Sequence, residues 1–229
     1  YNASSALPIT LQSVAEQSYR NREFLIIDGG STDGTLDVVQ QGNYPIDFWC
    51  SEADDGIYDA FNKGIQHASG DWIYFLGAGD RFVDTDVLKQ VFSVPHAGQM
   101  LYGDVRLQSK QRRYGGEFSK LSLCLRNICQ QGIFYSRELF DRIGPFEPRY
   151  RVWADWAFNL QCFADPQTQP EYLDAEIAIY DEDGFSSSRL DAEFARDAQS
   201  LIRPLGRLPW HVYQLKQVAR RVLGKPRIA

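Results

Sequence analysis

Two apolar runs in the first eighty residues each lead into an aspartate beside glycine. Residues 24–27 (FLII) precede Asp28-Gly29-Gly30-Ser31, and residues 72–76 (WIYFL) precede Gly77-Ala78-Gly79-Asp80. Short apolar runs bounded by turn residues indicate buried strands. Glycines let a ligand approach the backbone closely, and carboxylates bind ribose hydroxyls or hard metal ions. Because open α/β sheets bind ligands beyond the carboxyl ends of their strands, the pattern predicts a nucleotide site between two neighbouring parallel strands.

The order of the remaining patterns favours an α/β fold. Apolar residues at helical spacing alternate with strand-like runs up to Asp80, which predicts a parallel, doubly wound sheet. Beyond Asp80 the rhythm changes, and residues 100–107 and 111–117 predict a hairpin. The predicted helices are 7–19, 35–41, 57–68, 86–92, 119–126, 136–142 and 154–163, and the other predicted strands are 46–50 and 171–180.

Length and composition are those of a globular domain. The chain has 229 residues, of which 44% are hydrophobic and 24% charged, and no apolar stretch approaches the ~20 residues of a membrane span. The chain opens at Tyr1, and residues 1–4 look like the loop that follows a strand. We therefore expect that the first strand of the fold is missing from this chain.

Charge is unevenly distributed along the chain. The net charge is −6, yet residues 201–229 contain seven Lys or Arg residues and no Asp or Glu. An acidic body argues against nucleic-acid binding. We divide the chain into a domain at 1–200 and a basic, amphipathic helical appendage at 201–229. Within the appendage, residues 205–223 predict either a helix at a membrane surface or a helix docked on the acidic body.

Four motifs occur together in a familiar order, at residues 11–19, 27–35, 51–64 and 77–80. With them, residues 1–190 resemble the family 2 glycosyltransferases. This resemblance implies the GT-A fold, in which a Rossmann-like nucleotide-binding sheet carries an acceptor-side extension. Residues 183–186 also resemble the loop that closes over the diphosphate in that family.

The resemblance implies a nucleotide and donor site near the first strand. Asp28 takes the position that holds the base and ribose, with Gly29 where many relatives have a second aspartate. An ordinary turn remains an alternative for residues 28–31, and a solvated surface lysine remains one for Lys63. The residues expected to bind the nucleotide or donor are Asp28, Gly29, Ser31, Asp54, Tyr58, Asn62, Lys63 and Gly79.

Asp80 matches the last aspartate of the family's metal motif. The implied cofactor is Mn²⁺ or Mg²⁺, which would neutralise the diphosphate of the donor. Gly77 and Gly79 replace the earlier aspartates of the motif, so a single protein carboxylate would be shared with diphosphate oxygens and waters. The alternative is that Asp80 only caps the following helix.

Residues 153–156 (WADW) resemble the family's second acidic motif. Asp155 is then the expected general base, which takes the proton of the acceptor hydroxyl. An acidic residue that merely favours a helix start is the alternative. Trp153 and Trp156 are expected on the acceptor side, where they stack on sugars, or else in the core. Gln131 is a further expected acceptor contact, beside Gln130 in place of a common histidine.

Together these features predict an inverting glycosyltransferase. It would move a sugar from a nucleotide-diphosphate donor, with a UDP-sugar favoured, to a glycan or lipid-linked acceptor in cell-surface polysaccharide synthesis. The expected location is cytoplasmic, at the inner face of the plasma membrane. The alternatives are a nucleotidyltransferase and a catalytically silent nucleotide-sugar-binding scaffold.

Overall fold

A computed structural model describes residues 1–182 and 191–222, so the loop predicted at 183–186 lies outside the described residues. Helix starts follow local chemistry: Pro8 lies in the first turn of the first helix, and Asp191 caps a later one by accepting from Phe194 N. In chain order the helices are α1 (Leu7–Ala15), α2 (Thr35–Gln41), α3 (Ile57–His67), α4 (Val87–Phe92), α5 (Lys120–Leu123), α6 (Arg137–Ile143), α7 (Ala154–Ala164), α8 (Ala192–Ile202) and α9 (Arg207–Val222).

The strands form two sheets. The strands are β1 (Leu25–Asp28), β2 (Phe48–Ser51), β3 (Trp72–Tyr74), β4 (Arg81–Phe82), β5 (Met100–Leu107), β6 (Arg112–Tyr114), β7 (Ile133–Ser136) and β8 (Pro170–Tyr180). β1 and β2 pair in parallel as one small sheet. The larger sheet has the order β3-β7-β5-β8-β4, with β6 paired to β5 in the predicted hairpin.

The prediction of one parallel, doubly wound sheet is wrong in its pairing. β3 pairs antiparallel with β7, and β7 pairs antiparallel with β5, while β5 and β8 run parallel. The difference arises from β7, a four-residue strand after Gly132 that the sequence patterns missed. Asp28 ends β1 in the smaller sheet, whereas Asp80 lies beyond the end of β3 and directly before β4. The two aspartates therefore do not end hydrogen-bonded neighbouring strands.

The main apolar core lies on the side of the larger sheet that α6, α7 and α8 cover. Its centre is a group of aromatic rings from separate parts of the chain, in which Tyr135, Phe140 and Phe158 all contact Phe146. Each of these rings is at least nine-tenths buried. Burying such side chains supplies much of the driving force for folding, and it fixes α7, which carries Asp155.

The C-terminal helix packs on this core through one face. Tyr213 on α9 and Leu205, just before α9, are buried members of the main core, whereas Leu208, Leu215 and Val218 on α9 are 64%, 68% and 54% exposed. The boundary at residue 200 stays a prediction. Within the described residues, none of the helices combines the length and apolarity that crossing a bilayer requires.

Candidate functional site

Asp28 lies at the end of β1, where it is 3% exposed. Its carboxylate accepts hydrogen bonds from Ser31 N, Ser31 Oγ and Ser51 Oγ at 2.8, 2.5 and 2.6 Å. Burial alone would raise the pKa of Asp28, but these hydrogen bonds outweigh it and hold the pKa below its ordinary value. Asp28 is therefore a fixed negative charge at the sheet edge, and Ser51, which the sequence analysis left out, helps to hold it.

The carboxylate of Asp54 lies against the backbone of Gly29. A Cβ placed on Gly29 would be 2.3 Å from Asp54 Oδ2, and Asp54 Oδ1 accepts from Gly56 N at 2.9 Å. A contact of 2.3 Å is far inside van der Waals separation. The space that a second aspartate would need at position 29 is thus occupied by a carboxylate from the loop after β2.

The other polar residues predicted in residues 51–64 are engaged within the protein. Lys63 Nζ donates to the carbonyl of Ala53 and pairs with Glu52 at 3.0 Å. Asn62 exchanges two hydrogen bonds with the backbone of Phe146, at 2.8 and 3.0 Å. Asn62 on α3 therefore binds the loop that contains Phe146. The helical spacing did not indicate this structural role.

Arg151 is a cation near this loop that the sequence analysis missed. Its Nη1 donates to the carbonyl oxygen of Asp55, and it lies 3.7 Å from a Cβ placed on Gly56. The side chain is exposed. It comes from the segment before α7, almost one hundred residues away, so no local motif could have indicated it.

Asp80 accepts three hydrogen bonds, two at its carboxylate and one at its backbone carbonyl. Its Oδ2 accepts from Gln131 Nε2 at 2.7 Å and its Oδ1 from Asp181 N at 2.8 Å, while Thr10 Oγ1 donates to its carbonyl at 2.7 Å. Burial, with a smaller contribution from the nearby charge of Asp181, raises the pKa of Asp80 to about 6, against the hydrogen bonds from Asp181 N and Gln131. Gln131, predicted as an acceptor contact, is thus bound to the predicted metal residue.

The carboxylates of Asp80 and Asp181 both lie against the 77–80 loop. A Cβ on Gly77 would be 2.9 Å from Asp80 Oδ2, and one on Gly79 would be 3.3 Å from Asp181 Oδ2. Gly79 also has a φ of 101°, which favours glycine. Two hard oxygen donors at one loop fit Mg²⁺ or Mn²⁺, which take few protein carboxylates and keep phosphate and water ligands. In the described part of the chain, three or more His, Cys, Asp or Glu residues do not gather at one point.

Asp155 lies in the first turn of α7 and is 8% exposed. Its Oδ1 lies 2.7 Å from Tyr58 OH, and its Oδ2 accepts from Asn127 Nδ2 at 2.8 Å. Burial raises the pKa of Asp155 to about 6, although the hydrogen bonds from Tyr58 and Asn127 oppose it. Tyr58, which was predicted to bind the nucleotide or donor, forms a hydrogen bond with the predicted base.

Asp191 fixes the start of α7. Its Oδ2 accepts from Val152 N and Trp153 N, and its Oδ1 accepts from Phe194 N at the start of α8. One buried carboxylate thereby orients two helix starts. Because Asp155 follows directly, the capping of α7 sets the direction of the predicted base.

The segment 127–131 connects the two carboxylates whose pKa is raised to about 6. Its first residue, Asn127, binds Asp155 and its last, Gln131, binds Asp80. Cys129 interacts electrostatically with both aspartates, and burial raises the pKa of its thiol. In the described part of the chain Gln130 Nε2 is buried without a hydrogen-bond partner. This segment therefore links Asp80 and Asp155 through side-chain hydrogen bonds.

The two tryptophans next to Asp155 differ in exposure. Trp156 is 4% exposed, donates from Nε1 to the carbonyl of Leu123 at 2.8 Å, and stacks on Phe194. Its ring faces the core and not a ligand, so the core-packing alternative holds for Trp156. Trp153 is partly buried and packs edge-on against Trp156 and Phe194.

Comparisons with known proteins identify the family of the chain. A model of the family described as Glycosyl transferase family 2 matches residues 1–143. A PGL/p-HBAD biosynthesis glycosyltransferase of Mycobacterium bovis is 41% identical over 85% of this chain and 79% of its own length. An uncharacterized glycosyltransferase of Mycobacterium tuberculosis is 31% identical over 82% of this chain and 75% of its own.

Solved structures share the fold. S. aureus TarS (residues 1–349) in complex with UDP superposes with a TM-score of 0.70 at 17% identity, over 90% of this chain and 62% of that one. The mannosyltransferase PcManGT from Pyrobaculum calidifontis, in complex with GDP-Man and Mn²⁺, gives 0.64 at 15% identity, over 99% and 74%. These likenesses confirm the predicted GT-A fold, and the sequence relatives confirm the predicted enzyme class over its alternatives. The chain therefore belongs to glycosyltransferase family 2.

Proposed function

We propose that this chain transfers a sugar, with inversion, from a nucleoside-diphosphate donor to a hydroxyl of a glycan or lipid-linked acceptor. The observation that carries the proposal is the joining of two buried aspartates, Asp80 and Asp155, through residues 127–131. One carboxylate suits the donor diphosphate and the other suits the acceptor hydroxyl. The complexes of TarS with UDP and UDP-GlcNAc support a UDP-sugar as the donor. The complex of PcManGT with GDP-Man supports a GDP-sugar as the alternative donor.

In the proposed reaction Asp155 is the base. Its ionised form removes the acceptor proton as the acceptor oxygen attacks C1 of the sugar, and the C1–O bond to the diphosphate breaks. Asp80 and Asp181 would hold Mg²⁺ or Mn²⁺, which when bound offsets the negative charge of the diphosphate. Asp28 and Asp54 would orient the nucleotide, with Gly29, Ser31 and Gly79 letting the backbone approach it.

The proposal is tested by measuring binding and turnover separately. Binding of UDP- and GDP-sugars with Mn²⁺ is measured by calorimetry, and nucleoside diphosphate release is measured with and without candidate lipid and glycan acceptors. We expect Asp155→Asn to retain donor affinity and lose about 100-fold or more in turnover. Asp141→Asn, an exposed carboxylate on α6, is the matched control. Donor binding without turnover, unchanged in Asp155→Asn, would instead identify the silent scaffold.

We also propose that the enzyme works at an anionic membrane surface, at the inner face of the plasma membrane. Two features support this: the exposed side chains of Leu208, Leu215 and Val218 on α9, and the absence of acidic residues from the sequence 201–229. Apolar burial and cationic attraction together bind interfacial helices to bilayers. A lipid-linked acceptor would then be presented at the same surface.

This association is tested on vesicles with and without anionic lipid. Replacing Leu208, Leu215 and Val218 by Gln should abolish sedimentation with anionic vesicles while the melting temperature stays unchanged. The control replaces Ile9 and Val94, which are also exposed, by Gln. Equal sedimentation of both variants would show that α9 is only a docked helix.

A further inference from the structure

The hydroxyl of Tyr58 lies between two oxygen acceptors. It is 2.7 Å from Asp155 Oδ1 and 2.7 Å from the carbonyl oxygen of Val152, and all three groups are buried. A phenol has one proton, so it can donate to one of these oxygens at a time. A carbonyl only accepts, whereas a carboxyl group accepts when ionised and can donate when protonated.

The protonation state of Asp155 therefore decides where the Tyr58 proton points. With Asp155 ionised, Tyr58 donates to the carboxylate, because a hydrogen bond to a charge is the stronger one. With Asp155 protonated, the carboxyl donates to Tyr58 and Tyr58 donates to Val152, so all three groups are satisfied.

A second group of side chains selects which oxygen of Asp155 carries the proton. The side-chain amide of Asn127 donates to Oδ2 of Asp155, and its Oδ1 accepts from Asn159 Nδ2 at 2.9 Å. Asn159 Oδ1 in turn accepts from Tyr135 OH at 2.8 Å, a shorter distance than the 3.2 Å from that hydroxyl to its other acceptor, Gln130 Oε1. Asn127 cannot turn its amide without losing the bond from Asn159. A proton on Oδ2 would face the Asn127 donor, so the proton of the neutral acid lies on Oδ1, the oxygen beside Tyr58.

We propose that Tyr58 is a positioning residue that receives the hydrogen bond of protonated Asp155 and turns its own hydroxyl to Val152. The proposal rests on the proposed role of Asp155 as base. As the acceptor oxygen bonds to C1, the C1–O bond electrons leave with the diphosphate and the acceptor proton ends on Asp155. Tyr58 keeps its own proton throughout and only changes the oxygen to which it donates.

The groups that interact electrostatically with Asp155 stay neutral while Asp155 changes charge. They are Tyr58 on α3, Tyr135 on β7 and Cys129 between α5 and β7. Burial raises the pKa of each above its ordinary value, so each stays neutral over the pH range in which the base changes charge.

The carbonyl of Val152 reports the change directly. Val152–Trp153 is the single Val-Trp pair in the sequence, so labelling with [1-¹³C]Val and [¹⁵N]Trp gives one HNCO resonance for this carbonyl. In the wild type we expect its ¹³C shift to move downfield as the pH falls through about 6. In Tyr58→Phe the Val152 resonance should not move. The control is Tyr102→Phe, which removes the hydroxyl of a buried tyrosine that bonds to the carbonyl of Phe118. In this control the Val152 resonance should move as in the wild type.

Asp155→Asn provides an independent arm. Its amide would accept from Asn127 and donate to Tyr58, so the Val152 resonance should stay at the low-pH position at every pH. A wild-type resonance that does not move, or the same movement in Tyr58→Phe, would overturn the proposal. Because this measurement needs no turnover, it is separable from a failure of the proposed transferase activity. Tyr58→Phe should also lower kcat by about 10- to 100-fold without raising the donor KM.

Discussion

The contact between Gly29 and Asp54 yields the most specific expected effect of a small substitution. The backbone of Gly29 lies outside the left-handed region, so alanine fits the local conformation there. Only the added methyl group is a problem, because its carbon would lie 2.3 Å from Asp54 Oδ2 and 2.9 Å from Asp54 Cγ. Gly29→Ala must therefore displace the Asp54 carboxylate.

The cost follows from overpacking. Overpacking a well-packed core costs about 1–3 kcal/mol, but Asp54 is only partly buried and its carboxylate can move. We therefore expect a cost near the lower end, about 1 kcal/mol, and an affinity about 5-fold lower. Gly29→Asp adds a second charge beside Asp54, worth up to about 4 kcal/mol at 4 Å for a partly screened pair. The loss should therefore be larger than for Gly29→Ala.

Calorimetric titration of UDP and GDP with Mn²⁺ tests this in a double-mutant cycle. Gly29→Ala and Asp54→Gly should each weaken binding, and the double variant should bind better than the two losses summed, with a coupling of about 0.5–1 kcal/mol. Gly29→Asp combined with Asp54→Gly should recover more affinity still, because a carboxylate returns to the same space. Wild-type affinity in Gly29→Ala, or strictly additive losses, would refute the role assigned to Asp54.

Three further outcomes are expected. Arg151 is an exposed cation beside the loop after β2, so Arg151→Ala should raise the donor KM by about 2- to 5-fold, and Arg151→Lys should recover part of the loss. Equal KM values would show that Arg151 does not act on the donor. His96 lies between two acceptors, the Glu171 carboxylate and the Val91 carbonyl. Burial lowers the pKa of His96, but these hydrogen bonds outweigh burial and raise it. The contribution of His96 to the free energy of unfolding is therefore complete below about pH 6.5 and is lost as the pH rises through the raised pKa. Denaturant unfolding should show a smaller loss of stability in His96→Gln at pH 9 than at pH 5.5, and an equal loss would contradict this. Trp156→Ala should reduce the unfolding free energy by about 3–5 kcal/mol, and a loss below about 1 kcal/mol would contradict its place in the core.

The motif-bearing loops could be predicted from the sequence because their chemistry is local. Asp28, Asp80 and Asp155 each follow glycine, strand or helix signals within a few residues, and those signals set the backbone around them. The prediction of a parallel sheet failed because strand pairing is not local. The pairing of β3 with β7 joins residues about sixty positions apart, and a four-residue strand carries too little periodicity to indicate its partner.

The same distinction explains the side chains around the site. Helical spacing placed Tyr58 and Asn62 on α3 correctly, but their partners Asp155 and Phe146 lie more than eighty residues further on. Hydrogen bonds over such separations depend on how helices pack, which a local pattern does not contain. Asp181 was missed likewise, since its closeness to Asp80 follows from the pairing of β4 with β8.

The central claim is that Asp155 acts as the base of sugar transfer, and the pH dependence of kcat tests it most directly. Because the pKa of Asp155 is raised to about 6, the reactive ionised form predominates above that pH. With saturating donor and acceptor, and with Mn²⁺ present so that the bound cation would keep the carboxylate of Asp80 ionised, kcat of the wild type should fall with a single protonation as the pH drops through about 6. Asp155→Asn should be about 100-fold or more slower and should lack this limb. A wild-type kcat that stays constant well below pH 6, or an Asp155→Asn variant with the wild-type rate and profile, would contradict the claim.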